Sequence, residues 1–177
     1  ASLQRVFRAD SNASTIATSG TGSSAMEAPV ANAVADGSRG VVIVTGYFGD
    51  RLAQMFQRYG SKVRRIDVEW GRAVDPQRLR DELRREGADV IGIVHAETST
   101  GVRNPVKELA AVAHEHGALT IVDMVTSPGG HEVDLAGWGV DIAYSCTQKC
   151  IGAPSGLAPI AVSGPARARL VPCRSFY

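Results

Sequence analysis

No apolar run in this chain of 177 residues approaches the roughly 20 that a membrane-crossing helix requires, so no spanning segment is expected. Cysteine is sparse and odd in number, with only Cys146, Cys150 and Cys173. Three such thiols do not make a disulfide framework, which points to a reducing compartment. The four-residue step from Cys146 to Cys150 could suit zinc. No second cysteine pair accompanies it, and His114, His116 and His131 lack a matching ligand spacing, so no metal site is expected. A charge excess is missing too: 19 Lys and Arg against 18 Asp and Glu leave +1, which gives no global case for nucleic acid or a membrane surface. The opening ASLQRVFRADSN lacks the apolar core of a signal peptide, so a cytoplasmic location, or one within an organelle, is expected. Both ends look cut. LQRVF reads as the tail of an amphipathic helix and CRSFY carries no terminal signal, so a piece of a longer protein is expected.

What the chain does have is alternation. STIATSG (14–20) reads as a strand and SAMEAPVANAVADG (24–37) as a helix ending at Gly37. GVVIVTG (40–46) is a strand, and FGDRLAQMFQRYG (48–60) a helix stopped by Gly60. KVRRIDV (62–68) is a strand. DPQRLRDELRREG (75–87) opens with an Asp cap and Pro at the first helical position. ADVIGIVHA (88–96) is a buried strand, and NPVKELAAVAHEHG (104–117) repeats the pattern with Asn as the cap. ALTIVDM (118–124), DIAYSC (141–146) and APIAVS (158–163) complete the strands. Strands alternating with helices need crossover connections. The expected fold is one α/β domain: a three-layer α/β/α sandwich around a mainly parallel sheet of roughly seven strands.

Ligands of such sheets sit outside the carboxyl ends of the strands, and the residues there carry chemistry. TSGTGSSAMEA (18–28) puts Gly20 and Gly22 between a strand and a helix, with Thr21, Ser23 and Ser24 beside them. Free amides at a helix start favour a phosphate. The stretch is neither a Walker A loop nor GxGxxG, since Ala25 stands at the third glycine, and it reads equally as a turn with a Ser cap. Phe48 in GYFGD lies beside two glycines; its plain reading is a core aromatic that staples the helix after it. Glu97, Thr98, Ser99 and Thr100 form a polar strand end. Asp123 closes the buried run LTIVDM, where a carboxylate is costly unless a cation or several donors meet it. Alone it reads as a capping or salt-bridging residue. Lys149 in YSCTQKCIGAP is, alone, a solvated loop lysine; in a partly desolvated pocket its amine becomes an imine-forming nucleophile. Together the strand ends offer an anion cradle, an aromatic face, hydroxyls, a carboxylate and an amine. That set suits pyridoxal 5'-phosphate.

SGTGSSAMEA, HAETSTGV, VDMVTSPGG and YSCTQKCIGAPSGLA, in this order, resemble the class V branch of the fold type I pyridoxal-phosphate enzymes, nearest the alanine/serine–glyoxylate aminotransferases. The resemblance implies a role for each matching residue. Lys149 would form the aldimine and shuttle the proton at the substrate α-carbon. Asp123 would pair with the pyridine nitrogen and keep the ring an electron sink. Phe48, where many relatives have Trp, would stack on one ring face and Val125 on the other. Thr21, Gly22, Ser23 and Gln148 would hold the phosphate, and Thr98 the ring hydroxyl. It further implies that residues 1–177 are the cofactor-binding large domain, without the N-terminal segment and the arginine-bearing small domain of the family. The full enzyme would be a homodimer acting on a small amino acid and a 2-oxo acid such as glyoxylate. Gln148 stands where class V cysteine desulfurases usually have His, and the cysteines flank the lysine rather than lie on a later mobile loop. That favours transamination over sulfur transfer and makes Cys146 and Cys150 small packing residues near the site. The alternatives are another class V reaction, of desulfurase, lyase or kynureninase type, or a fragment that keeps the scaffold without turnover.

Overall fold

The computed structural model describes residues 2–172, so Cys173 and the rest of CRSFY lie outside the described residues. The chain begins with α1 (Ser2–Phe7), β1 (Ser14–Gly20), α2 (Gly22–Ala33), β2 (Arg39–Val44), α3 (Tyr47–Arg58) and β3 (Lys62–Asp67). It continues through α4 (Pro76–Arg85), β4 (Val90–Val94), the two-residue strands β5 (Ala96–Glu97) and β6 (Val102–Arg103), and α5 (Val106–Glu115). It closes with β7 (Leu119–Asp123), α6 (Leu135–Trp138), β8 (Ile142–Tyr144), β9 (Gly156–Val162) and α7 (Gly164–Arg167).

Seven strands form one sheet in the order β1-β9-β8-β7-β4-β2-β3. The five from β8 to β3 are parallel neighbours, while β9 runs antiparallel to both β8 and β1. The reversal has a local cause. No helix lies between Tyr144 and Gly156, and a parallel neighbour needs a crossover. The chain instead folds straight back, with the Ser145 and Thr147 amides donating to Pro159 and Leu157.

Alternation along the strands fills both faces. Val41, Ile43, Ile91 and Ile93 pack with Leu79 and Leu83 of α4 and Leu109 of α5. Val42, Val44, Ile121 and Tyr144 face Met26 and Val30 of α2 and Leu52 and Phe56 of α3. Gly92 lets α3 come close: a Cβ there would lie 2.9 Å from Leu52 Cδ2. At one edge of the sheet β3 carries Lys62, Arg64, Arg65 and Asp67, and charge on an edge strand discourages further pairing.

The helix signals hold at α4, where the Asp75 carboxylate accepts from the Gln77 amide at 2.9 Å and Pro76 occupies the first turn. Two expectations need correcting. The second helix ends at Ala33, not Gly37, because Val34 turns extended and buries its side chain. Gly37, at φ 76°, serves the following turn, where its amide donates to the Gly60 carbonyl. Asn104 does not cap α5. Buried, it donates to Thr45 Oγ1 at 3.0 Å and the Val94 carbonyl at 2.8 Å and accepts from the Val74 amide at 3.1 Å, tying three segments behind the strand ends.

Candidate active site

The carboxyl ends of β4, β7 and β8, the start of α2 and the start of α3 enclose one cavity of about 170 Å³. The nine residues given a cofactor role by the resemblance all line it: Thr21, Gly22, Ser23, Phe48, Thr98, Asp123, Val125, Gln148 and Lys149; Gly20, Ser24, Glu97, Ser99 and Thr100, from the same strand ends, do not. Met26, Val94, Ala96 and Cys146 add apolar wall.

Asp123 is the buried polar group of this cavity, 4% exposed. Its position follows from β7, whose five residues are all buried and whose last one meets the cavity. The Val125 amide donates to Oδ1 at 2.8 Å and the Tyr144 hydroxyl to Oδ2 at 2.9 Å. Tyr144 is the register partner of Asp123 on the adjoining strand, so the bond is set by the sheet. Burial pushes the Asp123 carboxyl up from 3.8 to about 6, against the pull of these two donors. Burial also drives the Tyr144 phenol well above its usual value. Among the described residues no cationic side chain forms an ion pair with Asp123, so a carboxylate is held dry beside a cavity that can admit a cation.

The anion cradle is the start of α2. Thr21 is its cap residue, and its amide donates to Ser24 Oγ at 3.4 Å. First-turn amides have no partner within a helix, and here the residues that carry them, Gly22 and Ser23, line the cavity. Gly22 is needed for space: a Cβ would stand 3.2 Å from Val125 Cγ2.

Phe48 is held by a residue whose role the sequence did not reveal. Glu97 is 1% exposed. It accepts from the amides of Phe48 at 3.3 Å, Gly49 at 3.1 Å and Ser99 at 3.1 Å, and from Ser99 Oγ at 2.7 Å. A carboxylate at a helix start is favoured by the helix dipole, and this one fixes the aromatic at the mouth. Gly46 makes room, since a Cβ there would lie 2.5 Å from Glu97 Cγ. HAETSTG is thus more than a polar turn: β5 and β6 pair around it, and Thr98 at its tip reaches the cavity. Phe48 also packs on the core cluster, so its stapling and cavity-lining readings both hold.

The lysine loop departs from expectation. Lys149 lines the cavity but is exposed, as is Gln148, because residues 148–151 form an open turn. The desolvation expected for the amine is not supplied by this loop. Cys146 is buried, and burial raises its thiol pKa, so it stands as a neutral wall. Cys150 is not a packed interior residue: it is exposed, and its thiol donates to the Thr126 carbonyl at 3.3 Å. The loop is seated on Gly129 and Gly130. A Cβ on Gly129, at φ 92°, would overlap the Cys150 carbonyl, and one on Gly130 would lie 2.8 Å from its sulfur.

The sequence matches the family described as Aminotransferase class-V over residues 1–174. Among solved structures, an alanine–glyoxylate aminotransferase from Nostoc sp. superposes with a TM-score of 0.92 at 44% identity, over 98% of this chain and 46% of that one. An uncharacterized aminotransferase of Methanocaldococcus jannaschii is 39% identical over 91% of this chain and 42% of its own length. The (S)-ureidoglycine–glyoxylate transaminase of Bacillus subtilis is 36% identical over 80% of this chain and 34% of its own length. The chain therefore spans less than half the length of each of these relatives.

Proposed function

This chain belongs to the class-V aminotransferases, and from that premise we propose that it is the cofactor-binding large domain of a pyridoxal 5'-phosphate-dependent transaminase. The reaction moves an amino group from a small amino acid, such as alanine or serine, to a 2-oxo acid such as glyoxylate. One observation carries the reading: cradle, aromatic face, buried carboxylate and amine, which come from five strand ends, meet on a single cavity. The names of the glyoxylate transaminases among its relatives support this choice of substrate class.

The residues present fit the cofactor. A buried carboxylate without an ion-pair partner suits a protonated ring nitrogen, and the start of α2 suits a phosphate. Thr21, Gly22, Ser23 and Gln148 would hold the phosphate, Phe48 and Val125 the two ring faces, Thr98 the ring hydroxyl and Asp123 the ring nitrogen. Lys149 would hold the aldehyde carbon. When bound, the cofactor supplies an electron sink for the bond broken at the substrate α-carbon. The chain's own residues do the rest. Asp123 would be held anionic by the ring nitrogen and would keep a proton there, while Tyr144 and the Val125 amide fix the carboxylate in place. Glu97 keeps Phe48 against the cavity. The Lys149 amine would be the base that accepts the proton from the substrate α-carbon and the acid that hands it on.

The exposed amine and glutamine leave the outer wall of the cavity to further protein. The full-length enzyme is read as a homodimer with a small domain that closes over the substrate. No helix among the described residues is long and apolar enough to cross a membrane. Together with the free thiols of Cys146 and Cys150, this supports a cytoplasmic or organellar location.

The test uses lysine scarcity, because Lys62 and Lys107 are the only other lysines. Pyridoxal phosphate added to the protein and fixed with borohydride should label Lys149, and Lys149→Ala should abolish both that label and glyoxylate-dependent consumption of alanine. A folded protein labelled equally at all three lysines would refute the reading. Sulfide release from cysteine without keto-acid-dependent turnover would move the protein to the desulfurases.

A further inference from the structure

The cavity closed by Asp123 has a neighbour. A second cavity of about 440 Å³ lies between α2 and α3, and Ser23 lines both. Its acids are committed. Glu27 accepts from the Tyr59 hydroxyl at 2.8 Å, and Asp50 is held by Arg65 at 2.6 Å and by Gln54 at 2.6 Å. Its two arginines are not: among the described residues, neither the Arg51 nor the Arg58 guanidinium forms an ion pair or hydrogen bond. They differ in place. Arg58 is exposed, seven residues further along α3, about 10 Å down the axis. Arg51 is half-buried and three residues after Phe48, on the same side of the helix. Arg51 lines the second cavity together with Ser23, the residue shared with the first. Its charge reaches inward: burial and Asp123 lift the Tyr144 phenol, and Arg51 acts in the opposite direction.

The cofactor reading, on which this inference rests, leaves a charge unanswered. A phosphate monoester carries about 1.5 to 2 negative charges at neutral pH, whereas a helix start offers roughly half a positive charge. Among the described residues Lys149 is the one cationic residue lining the first cavity, and its amine is given to the aldehyde. We propose that Arg51 is the positive partner of the cofactor phosphate, placed behind Ser23 and acting across it, as a positioning residue for the phosphate rather than a group in the chemistry. Committing Asp50 to Arg65 and Glu27 to Tyr59 keeps Arg51 available for that task.

Phosphate selectivity reads this directly. Pyridoxamine 5'-phosphate and pyridoxamine differ by the phosphate alone, and neither needs Lys149 to bind. Affinities of both are measured by fluorescence titration for the wild type, Arg51→Gln, Arg51→Lys and Arg58→Gln, at low and high salt. Arg51→Gln should weaken the phosphorylated ligand by roughly tenfold or more while leaving pyridoxamine unchanged, the size expected for a lost charged partner. Arg51→Lys should restore most of the preference, and Arg58→Gln should keep it. In the wild type, salt should weaken the phosphorylated ligand more than pyridoxamine, and Arg51→Met, which keeps the apolar stem, repeats the test if Arg51→Gln folds poorly. Equal preference in the wild type and a folded Arg51→Gln overturns the proposal. A wild type that binds neither ligand overturns the cofactor reading itself, and this inference with it.

Discussion

Asp123→Asn should make the cofactor-free protein more stable at neutral pH and less able to bind its cofactor. Asparagine keeps the shape: its carbonyl oxygen can accept from the Val125 amide at Oδ1, and the Tyr144 hydroxyl can accept from its amide. What changes is the charge. Burial lifts the Asp123 carboxyl from 3.8 to about 6 in the folded chain. A raised folded-state value means that the folded protein holds the proton more tightly than the unfolded one. Below the unfolded value both states are protonated and nothing is lost. As pH climbs from there through about 6, the wild type loses stability, and above that the loss is constant. A rise of about two pH units at about 1.4 kcal/mol each gives about 3 kcal/mol. In a domain of this size that is roughly 6 to 12 °C in melting temperature. Urea unfolding of wild type and variant from about pH 4 to about pH 8 isolates the effect, because every other titrating group is common to both. The variant's advantage should appear between those limits and level off. With pyridoxal phosphate present the order should invert, since a ligand that binds only the folded wild type stabilises it by mass action. A wild-type-to-variant difference that does not move with pH would refute the reasoning. A wild type that gains on the variant as pH rises would show that Asp123 already has a cationic partner.

Two further substitutions separate the scaffold from the cavity. Glu97→Ala strands the amides of Phe48, Gly49 and Ser99 and removes the charge at the start of α3. It should lower stability by about 3 kcal/mol or more in urea unfolding, with amide exchange accelerated at residues 47–50; unchanged exchange there would remove Glu97 from its capping role. Gly22→Ala and Gly46→Ala should part ways. The first places a methyl 3.2 Å from Val125 Cγ2 in the cradle and should weaken pyridoxal phosphate binding, with stability changed by less than about 1 kcal/mol because alanine favours the helix. The second drives a methyl to 2.5 Å from both Glu97 Cγ and Ser99 Oγ and should cost about 1 to 3 kcal/mol in the same assay. Equal stability losses in the two variants would contradict this division.

What could be read in the sequence and what could not divide along a physical line. The cavity segments were readable because a parallel sheet gathers its strand ends on one side: position at the end of a buried run pointed to the stretches holding Thr21, Phe48, Asp123 and Lys149 and to Glu97, Thr98, Ser99 and Thr100 together, and the family resemblance then picked out Thr98. Their supports were not readable, since each depends on register or on distant chain. Tyr144 looks like one more core aromatic of DIAYSC until β8 aligns it with Asp123. Glu97 caps a helix that begins 50 residues earlier. Asn104 stands before a proline exactly where a cap belongs by local rule, yet its amide satisfies Val74, Thr45 and Val94 instead. In each case a buried polar side chain is paired with a group that would be costly if left alone. The exposure of Lys149 follows the same logic in reverse. The small residues around it make a tight loop, but desolvation is a property of what covers a side chain, and sequence-local features say nothing about cover. A buried acid that closes a strand is therefore better used as a question put to the next strand over: the sheet aligns that strand's last residue with the acid, and here that residue is the hydroxyl that holds it.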